Sequence, residues 1–257
     1  MQDSFHREIN YLRVSVTDRC NLRCFYCMPP HGVQSIPHEE VLRLEEMTRL
    51  VQAAALVGVK KVRITGGEPL VRKGITAFVE ALAAIPEIDD LAMTTNGILL
   101  AERARELRAA GLKRVNVSLD SLRPEKYARI TRGGDLAKVW AGIEAALALE
   151  MHPVKLNTVL LKGFNDDEIV ELAALSLRFP LHVRFIELMP LGVCRPWAAD
   201  YFLSAGQTRE TIERNLGALS EVRKLAGSGP ARYYRLAGAP GTIGFIPAVS
   251  DHFCDRC

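Results

Sequence analysis

The chain has no long apolar run and no apolar leader. Its longest apolar stretches, such as Ala53–Val59, fall well short of the roughly 20 residues a membrane-spanning helix needs. The first ten residues, Met1–Asn10, are polar and lack the apolar core of a secretory signal. A membrane or exported protein is therefore not expected, and the sequence points to the cytoplasm. Charge of one sign is also scarce: 33 Lys and Arg face 30 Asp and Glu, leaving a formal net charge of +3 and a pI near 8.5. That balance gives no argument for nucleic acid and suits an anionic small molecule. No G-x-x-x-x-G-K-[ST] loop occurs, so a bound triphosphate would depend on scattered cations. There is no low-complexity tract. With 48% hydrophobic and 25% charged residues, the 257-residue chain has the composition of a soluble globular protein and the length of one α/β barrel.

What is present is a regular alternation. Strand-like runs fall at Tyr11–Thr17, Lys61–Thr65, Asp90–Thr94, Arg114–Ser118, Pro153–Val159 and His182–Ile186. Between them, Glu45–Val57, Gly74–Ala84, Ala101–Ala110, Leu136–Leu149 and Asp166–Leu177 have helical apolar spacing. In the first of these, Met47, Leu50, Val51, Ala54 and Val57 share a face and Gly58 ends the helix. In the last, Asn165 and Glu168 form a capping pattern. Six β-α units imply a parallel sheet. Each strand also ends in, or carries, polar or reactive residues: Cys20–Cys27, Gly66–Pro69, Thr95–Gly97, Ser118–Asp120, Lys155 and Asn157, and Glu187–Pro190. One shared mouth favours a partial (β/α)6 barrel over an open sheet, which concentrates its site at one switch point. After Pro190 the rhythm breaks into a helix, Gln207–Leu216, and short strands near Val222, Tyr233–Leu236 and Thr242–Ile246. The chain is thus read as a barrel at 1–190 and a C-terminal extension at 191–257.

Of six cysteines, five stand in two groups: Cys20, Cys24 and Cys27, and Cys254 and Cys257. In a reducing compartment, clustered cysteines favour metal over disulfides. The first group is C-x3-C-x2-C directly after a strand, and thiolates suit iron–sulfur clusters or zinc. Three thiolates on a four-iron cluster leave one iron open, as a catalytic zinc keeps an open position. The alternative is a structural zinc that borrows a fourth ligand such as His31. Cys194 reads as a small apolar residue.

The C-x3-C-x2-C run with an aromatic, Tyr26, before the last cysteine resembles the radical S-adenosylmethionine (SAM) superfamily, in which SAM chelates the open iron. Gly66-Gly67-Glu68-Pro69 after the second strand resembles its second mark. Two glycines permit close backbone approach, and Glu68 can accept from the SAM ammonium. Further stretches resemble the GTP 3′,8-cyclases of molybdenum cofactor biosynthesis. They are Leu12–Asn21, Val62–Leu70, Met93–Gly97, Asn116–Leu122, Val154–Asn157, Phe185–Pro190 and Phe253–Cys257.

That resemblance implies a partial barrel of the radical SAM type and a set of roles. Cys20, Cys24 and Cys27 would hold a [4Fe-4S] cluster, with Tyr26, Gly66, Gly67, Glu68, Ser118 and Met189 at the SAM pocket. Arg13, Arg63, Thr94 and Lys155 would bind GTP, and Cys254 and Cys257 would begin a second [4Fe-4S] cluster. An external electron donor and a downstream pterin-forming enzyme would be the partners, and a homodimer is compatible with the family. Reduction and SAM cleavage would give a 5′-deoxyadenosyl radical that takes the 3′ hydrogen of GTP and leads to attack on C8. The family continues beyond the position of Cys257, with a third cysteine about a dozen residues on.

Blander readings stand beside these. Arg63 and Lys155 read equally as strand-end charges, although Lys155 alternates with Asn157 on the inward side of an apolar strand. Ser118 and Thr94 also fit as strand-end caps, and Met189 as core filler. Competing functions are a radical SAM enzyme acting on a peptide or another small molecule, an inactive member of the family, and a zinc-binding or cluster-carrying protein.

Overall fold

Short β-branched runs joined by amphipathic segments form alternating strands and helices throughout the computed structural model, which describes residues 2–4, 6–34, 36–222 and 229–251. In chain order the elements are β1 (Tyr11–Ser15), α1 (Leu44–Leu56), β2 (Lys61–Thr65), α2 (Ile75–Ala83), β3 (Asp90–Thr95), α3 (Leu100–Ala109) and β4 (Arg114–Ser118). They continue with α4 (Pro124–Thr131), α5 (Leu136–Ala148), β5 (Lys155–Leu160), α6 (Ile169–Arg178), β6 (His182–Glu187), α7 (Ala205–Leu216), β7 (Ser220–Val222), β8 (Arg232–Arg235) and β9 (Thr242–Ile246). Among the described residues, no helix is long and apolar enough to cross a membrane.

The chain folds as two compact units. Of the described residues, the first takes those within 1–21, 32–116 and 138–152, and the second those within 22–31, 117–137 and 153–251. In the first, β1, β2 and β3 run parallel, with Arg13 opposite Arg63 and Arg63 opposite Ala92. Side chains two apart share a strand face, so Arg13, Arg63, Ala92 and Thr94 lie on one side of this sheet. Val62, Ile64, Leu91 and Met93 point the other way and are almost fully buried with Phe78, Val79 and Leu82 of α2. Gly142 of α5 is demanded by packing. A Cβ there would lie 2.8 Å from the Gly97 carbonyl oxygen and 2.9 Å from the Leu100 Cβ.

In the second unit β5, β6 and β9 are parallel, while β7 and β8 add antiparallel to the outer side of β9. The C-terminal extension therefore continues the β5–β6 sheet by strand pairing. Leu156, Val183, Phe185, Ile243 and Phe245 form its apolar side, and Lys155, Arg184 and Thr242 on the other side are buried as well.

Two sequence expectations are corrected. α1 buries Met47, Val51 and Ala55, whereas Leu50 is 57% and Val57 55% exposed, so the buried stripe is rotated from the expected one. Asn165 does not cap the helix that follows it. Its amide instead donates to the Asp120 and Val159 carbonyls, and its oxygen accepts from the Leu161 N–H. The eight-residue α4 was not foreseen. Proline at its first turn and a left-handed Arg132 at its C-cap delimit it.

At the start of β3 and β4, Asp90 pairs with Arg114, Nε to Oδ1 at 2.8 Å with a second bond to Oδ2. Burial pushes the Asp90 carboxyl up, but Arg114, helped by Lys61 and Arg63, outweighs it and holds the carboxyl below its ordinary value. A carboxyl depressed by folding contributes stability above its unfolded pKa of about 3.9, and that stability fades as pH falls through the folded value. Asp90→Asn is expected to cost about 2–3 kcal/mol at neutral pH, since it leaves a buried guanidinium without its anion. Urea unfolding from pH 7 down to about pH 3 checks this. The gap between the two proteins should narrow with acid, and an equal gap at every pH would contradict the assignment.

Candidate active site

The turn after β2 is built on two glycines. Gly66 has φ of 152°, and a Cβ on it would lie 2.6 Å from the Thr17 carbonyl oxygen. A Cβ on Gly67 would collide with the Arg19 carbonyl, only 2.7 Å from its carbon. The space is filled by hydrogen bonds from the Gly67 N–H to Thr17 O (2.7 Å) and the Glu68 N–H to Arg19 O (2.8 Å). The close approach that glycine permits here is therefore to the chain's own segment leading into Cys20.

Glu68 is 1% exposed. Its carboxylate accepts from the Leu70 N–H (3.0 Å), the Thr95 hydroxyl (2.8 Å) and the Asn96 N–H (2.6 Å). Burial pushes its pKa up against the pull of these three donors. A carboxylate has roughly four acceptor positions, so one remains on Oε2 for a further donor. Asn96, to which the sequence reading gave no role, reaches Cys20: its amide lies 3.7 Å from the sulfur and 2.7 Å from the Asn21 side-chain oxygen. The signal for it was Thr95-Asn96-Gly97 at a strand end.

In the second unit, residues 22–31 carry Cys24 and Cys27. The loop pairs with the end of α4 through Arg23 N–H to Thr131 O and Phe25 N–H to Ile130 O, both 3.0 Å. Cys27 and Met28 N–H groups both return to the Cys24 carbonyl, closing a tight turn. Arg132 donates to the carbonyls of Arg23 (3.2 Å) and Met28 (2.9 Å). Phe25 anchors the loop in an aromatic cluster, 5.0 Å from Phe164 and 5.5 Å from Trp197 between ring centroids. The Cys27 thiol is drawn below its ordinary value by a hydrogen bond with the Cys24 side chain, opposed by burial and Asp120 and assisted by Arg132.

Tyr26 donates its hydroxyl to Asp120 (2.7 Å), whose other oxygen accepts from the Val159 N–H at 2.9 Å. Burial pushes Asp120 up to about 6, against those two bonds. Burial, Asp120 and the two thiols together push the Tyr26 phenol well up.

Of the remaining candidates, Thr94 and Ser118 stand at the C-terminal ends of β3 and β4 and Met189 just past β6, whereas Arg13 and Arg63 lie in the middle of β1 and β2 and Lys155 begins β5, so Arg63 is not the strand-end charge that the sequence suggested. In the first unit Arg13 is exposed and Arg63 is buried with its guanidinium 5.2 Å from the Tyr11 ring centre. Thr94 accepts from the Asn116 amide at 3.2 Å. In the second, Lys155 is 2% exposed, with its ammonium 5.6 Å from the Tyr233 ring centre. Ser118 is half-buried, and Met189 is 43% exposed and so is not core filler. Buried Cys194 donates to the Met189 and Leu191 carbonyls, as a structural thiol does. Glu187, also without a role in the sequence reading, accepts from the Ala205, Val249 and Ser250 N–H groups. Cys254 and Cys257 lie outside the described residues.

Cys20, Cys24 and Cys27 are free thiols. Among the described residues, no three His, Cys, Asp or Glu side chains close on a single metal ion. A cubane cluster binds each thiolate to a different iron, so its ligands need not converge on one point. Within the second unit, the contact between the Cys24 and Cys27 side chains fits two neighbouring ligands of such a cluster.

Comparison with known proteins places these features. Residues 14–176 match the Radical SAM superfamily, and residues 181–257 match Molybdenum Cofactor Synthesis C. The GTP 3′,8-cyclase of Pelotomaculum thermopropionicum is 60% identical over 257 residues, which is all of this chain and 79% of that protein. That of Moorella thermoacetica is 51% identical with the same coverage. Among solved structures, a radical SAM methyltransferase from Sphaerobacter thermophilus superposes with a TM-score of 0.61 at 20% identity, covering 91% of this chain and 66% of that one. Streptococcus suis SuiB bound to S-adenosylmethionine gives 0.55 at 20% identity, over 70% of this chain and 41% of its own. The α/β fold with its glycine turn and cysteine loop is that of the radical SAM enzymes, and by whole-chain identity this chain belongs to the GTP 3′,8-cyclase family, whose superfamily membership implies a [4Fe-4S] cluster and SAM.

Proposed function

We propose that this chain is a radical SAM lyase that converts GTP to its 3′,8-cyclised nucleotide, the first step of molybdenum cofactor biosynthesis. The observation that carries the reading is 60% identity to a GTP 3′,8-cyclase along the entire chain. Cys20, Cys24 and Cys27 hold the cluster. Tyr26, Gly66, Gly67, Glu68, Ser118 and Met189 form the SAM pocket. Bound there, cluster and SAM would supply a 5′-deoxyadenosyl radical, the chemistry needed to take the 3′ hydrogen of GTP and let C3′ join C8.

The protein's own part is placement. Glu68, already holding three donors, has one acceptor position left for the SAM ammonium, and the Asp120 bond fixes the Tyr26 ring between two ligating cysteines. Arg13, Arg63, Thr94 and Lys155 bind GTP. A lysine withdrawn from water keeps more of its attraction for phosphate than a solvated one, and arginine adds a planar fork. Residues 1–190 form the radical SAM barrel. Residues 191–257 carry Cys254 and Cys257, the start of a second [4Fe-4S] cluster. The electron comes from an external donor, and the product passes to a pterin-forming enzyme. The protein works in the cytoplasm.

Two measurements test this. The first is anaerobic: protein with a proven four-iron cluster is reduced and given SAM, and 5′-deoxyadenosine is quantified with and without GTP. Release should rise clearly with GTP, and release indifferent to GTP would move the substrate elsewhere. The second is Lys155→Met, which keeps the bulk and removes the charge. It should lower kcat/KM for GTP roughly 10- to 100-fold, about 1.4–2.7 kcal/mol, while iron content and GTP-independent SAM cleavage stay near wild type. Unchanged kinetics would remove Lys155 from the GTP site.

A further inference from the structure

Arg132 is in an uncommon backbone state. It is the C-cap of α4 with φ of 55° and ψ of 56°, the left-handed region where a side chain costs energy and glycine does not. Glycine is the usual residue at such a helix end, and Gly133 and Gly134 follow immediately. A strained non-glycine residue beside a functional loop calls for a reason in what its side chain does.

That side chain crosses to the cysteine loop. One guanidinium nitrogen donates to the Arg23 carbonyl and also to the Met28 carbonyl, the residues that flank Cys24 and Cys27 on either side. The backbone around it supports the same loop, because Thr131 and Ile130 accept from Arg23 and Phe25. The arginine thus ties together the two ends of the turn that presents both thiols. It also sets a fixed positive charge close enough to act on Cys27, which is exposed.

We infer that Arg132 is a positioning residue for the SAM-binding cluster, one that closes the cysteine loop and stabilises the reduced cluster by its charge. One-electron reduction adds a negative charge to the cluster, so a nearby cation favours the reduced form and raises the potential. No proton or bond change is required. The inference rests on the reading that Cys20, Cys24 and Cys27 hold the cluster.

The decisive variant is Arg132→Gly, which relieves the backbone strain while removing the side chain. The reconstituted protein is titrated with dithionite, following the reduced-cluster EPR signal with and without SAM, beside iron content and the thermal midpoint. The midpoint should equal or exceed wild type, as expected for glycine in this conformation. The ratio of reduced to oxidised cluster at a fixed potential should fall roughly three- to tenfold, about 30–60 mV for one electron. Arg132→Lys should recover most of that ratio by restoring the charge, and the difference should shrink at high salt because the group is exposed. A glycine variant with the wild-type titration and SAM-shifted signal would overturn the role of Arg132. Wild-type protein that shows no cluster signal would instead overturn the ligand reading on which the inference rests.

Discussion

A carboxylate taken out of water is stable only where protein donors replace the water it loses. The loops that follow the strands depend on this constraint. Glu68 after β2 gathers the Leu70 and Asn96 amides. Asp120 after β4 gathers the Val159 amide and the Tyr26 hydroxyl. Glu168 before α6 takes the Leu122 amide and the Ser121 hydroxyl, and Glu187 at the end of β6 takes three amides. Each of these acids is at least 97% buried. Each fastens backbone that is distant in sequence, and a strand or helix end holds the acid itself in place.

The consequence for function is preorganisation. The candidate site groups are held by the chain's own hydrogen bonds, so less ordering is left to ligand binding. The turn Gly66–Pro69 is docked on the approach to Cys20 by two backbone hydrogen bonds. The turn around Cys24 is held by α4, by Asp120 through Tyr26, and by the aromatic cluster around Phe25.

Local patterns in the sequence carried most of the architecture. All six barrel strands fall within two residues of their expected starts and ends, because β-branched runs bounded by glycine and charge are strong signals. The short α4 was illegible, since eight residues give only two turns of periodicity. The rotated face of α1 shows the limit of counting apolar residues: Leu50 and Val51 are equally hydrophobic neighbours, and only packing decides between them. The chemical motifs were legible as residues and opaque as geometry. Nothing local connects Tyr26 to Asp120, which is 94 positions away. Nor does it reveal that the glycines approach the chain's own backbone, or that Arg132 bends into a glycine conformation to reach the cysteine loop.

The central claim is that buried carboxylates hold these loops before any cofactor arrives, and amide hydrogen exchange on iron-free protein tests it most directly. The amides of Asn96, Val159 and Val249 should be strongly protected without cluster or SAM, and Glu68→Gln should lower protection at Asn96 while sparing Val249. Amides that exchange freely in the iron-free protein and gain protection only when the cluster is installed would contradict it, and would show that the cofactors fold the loops.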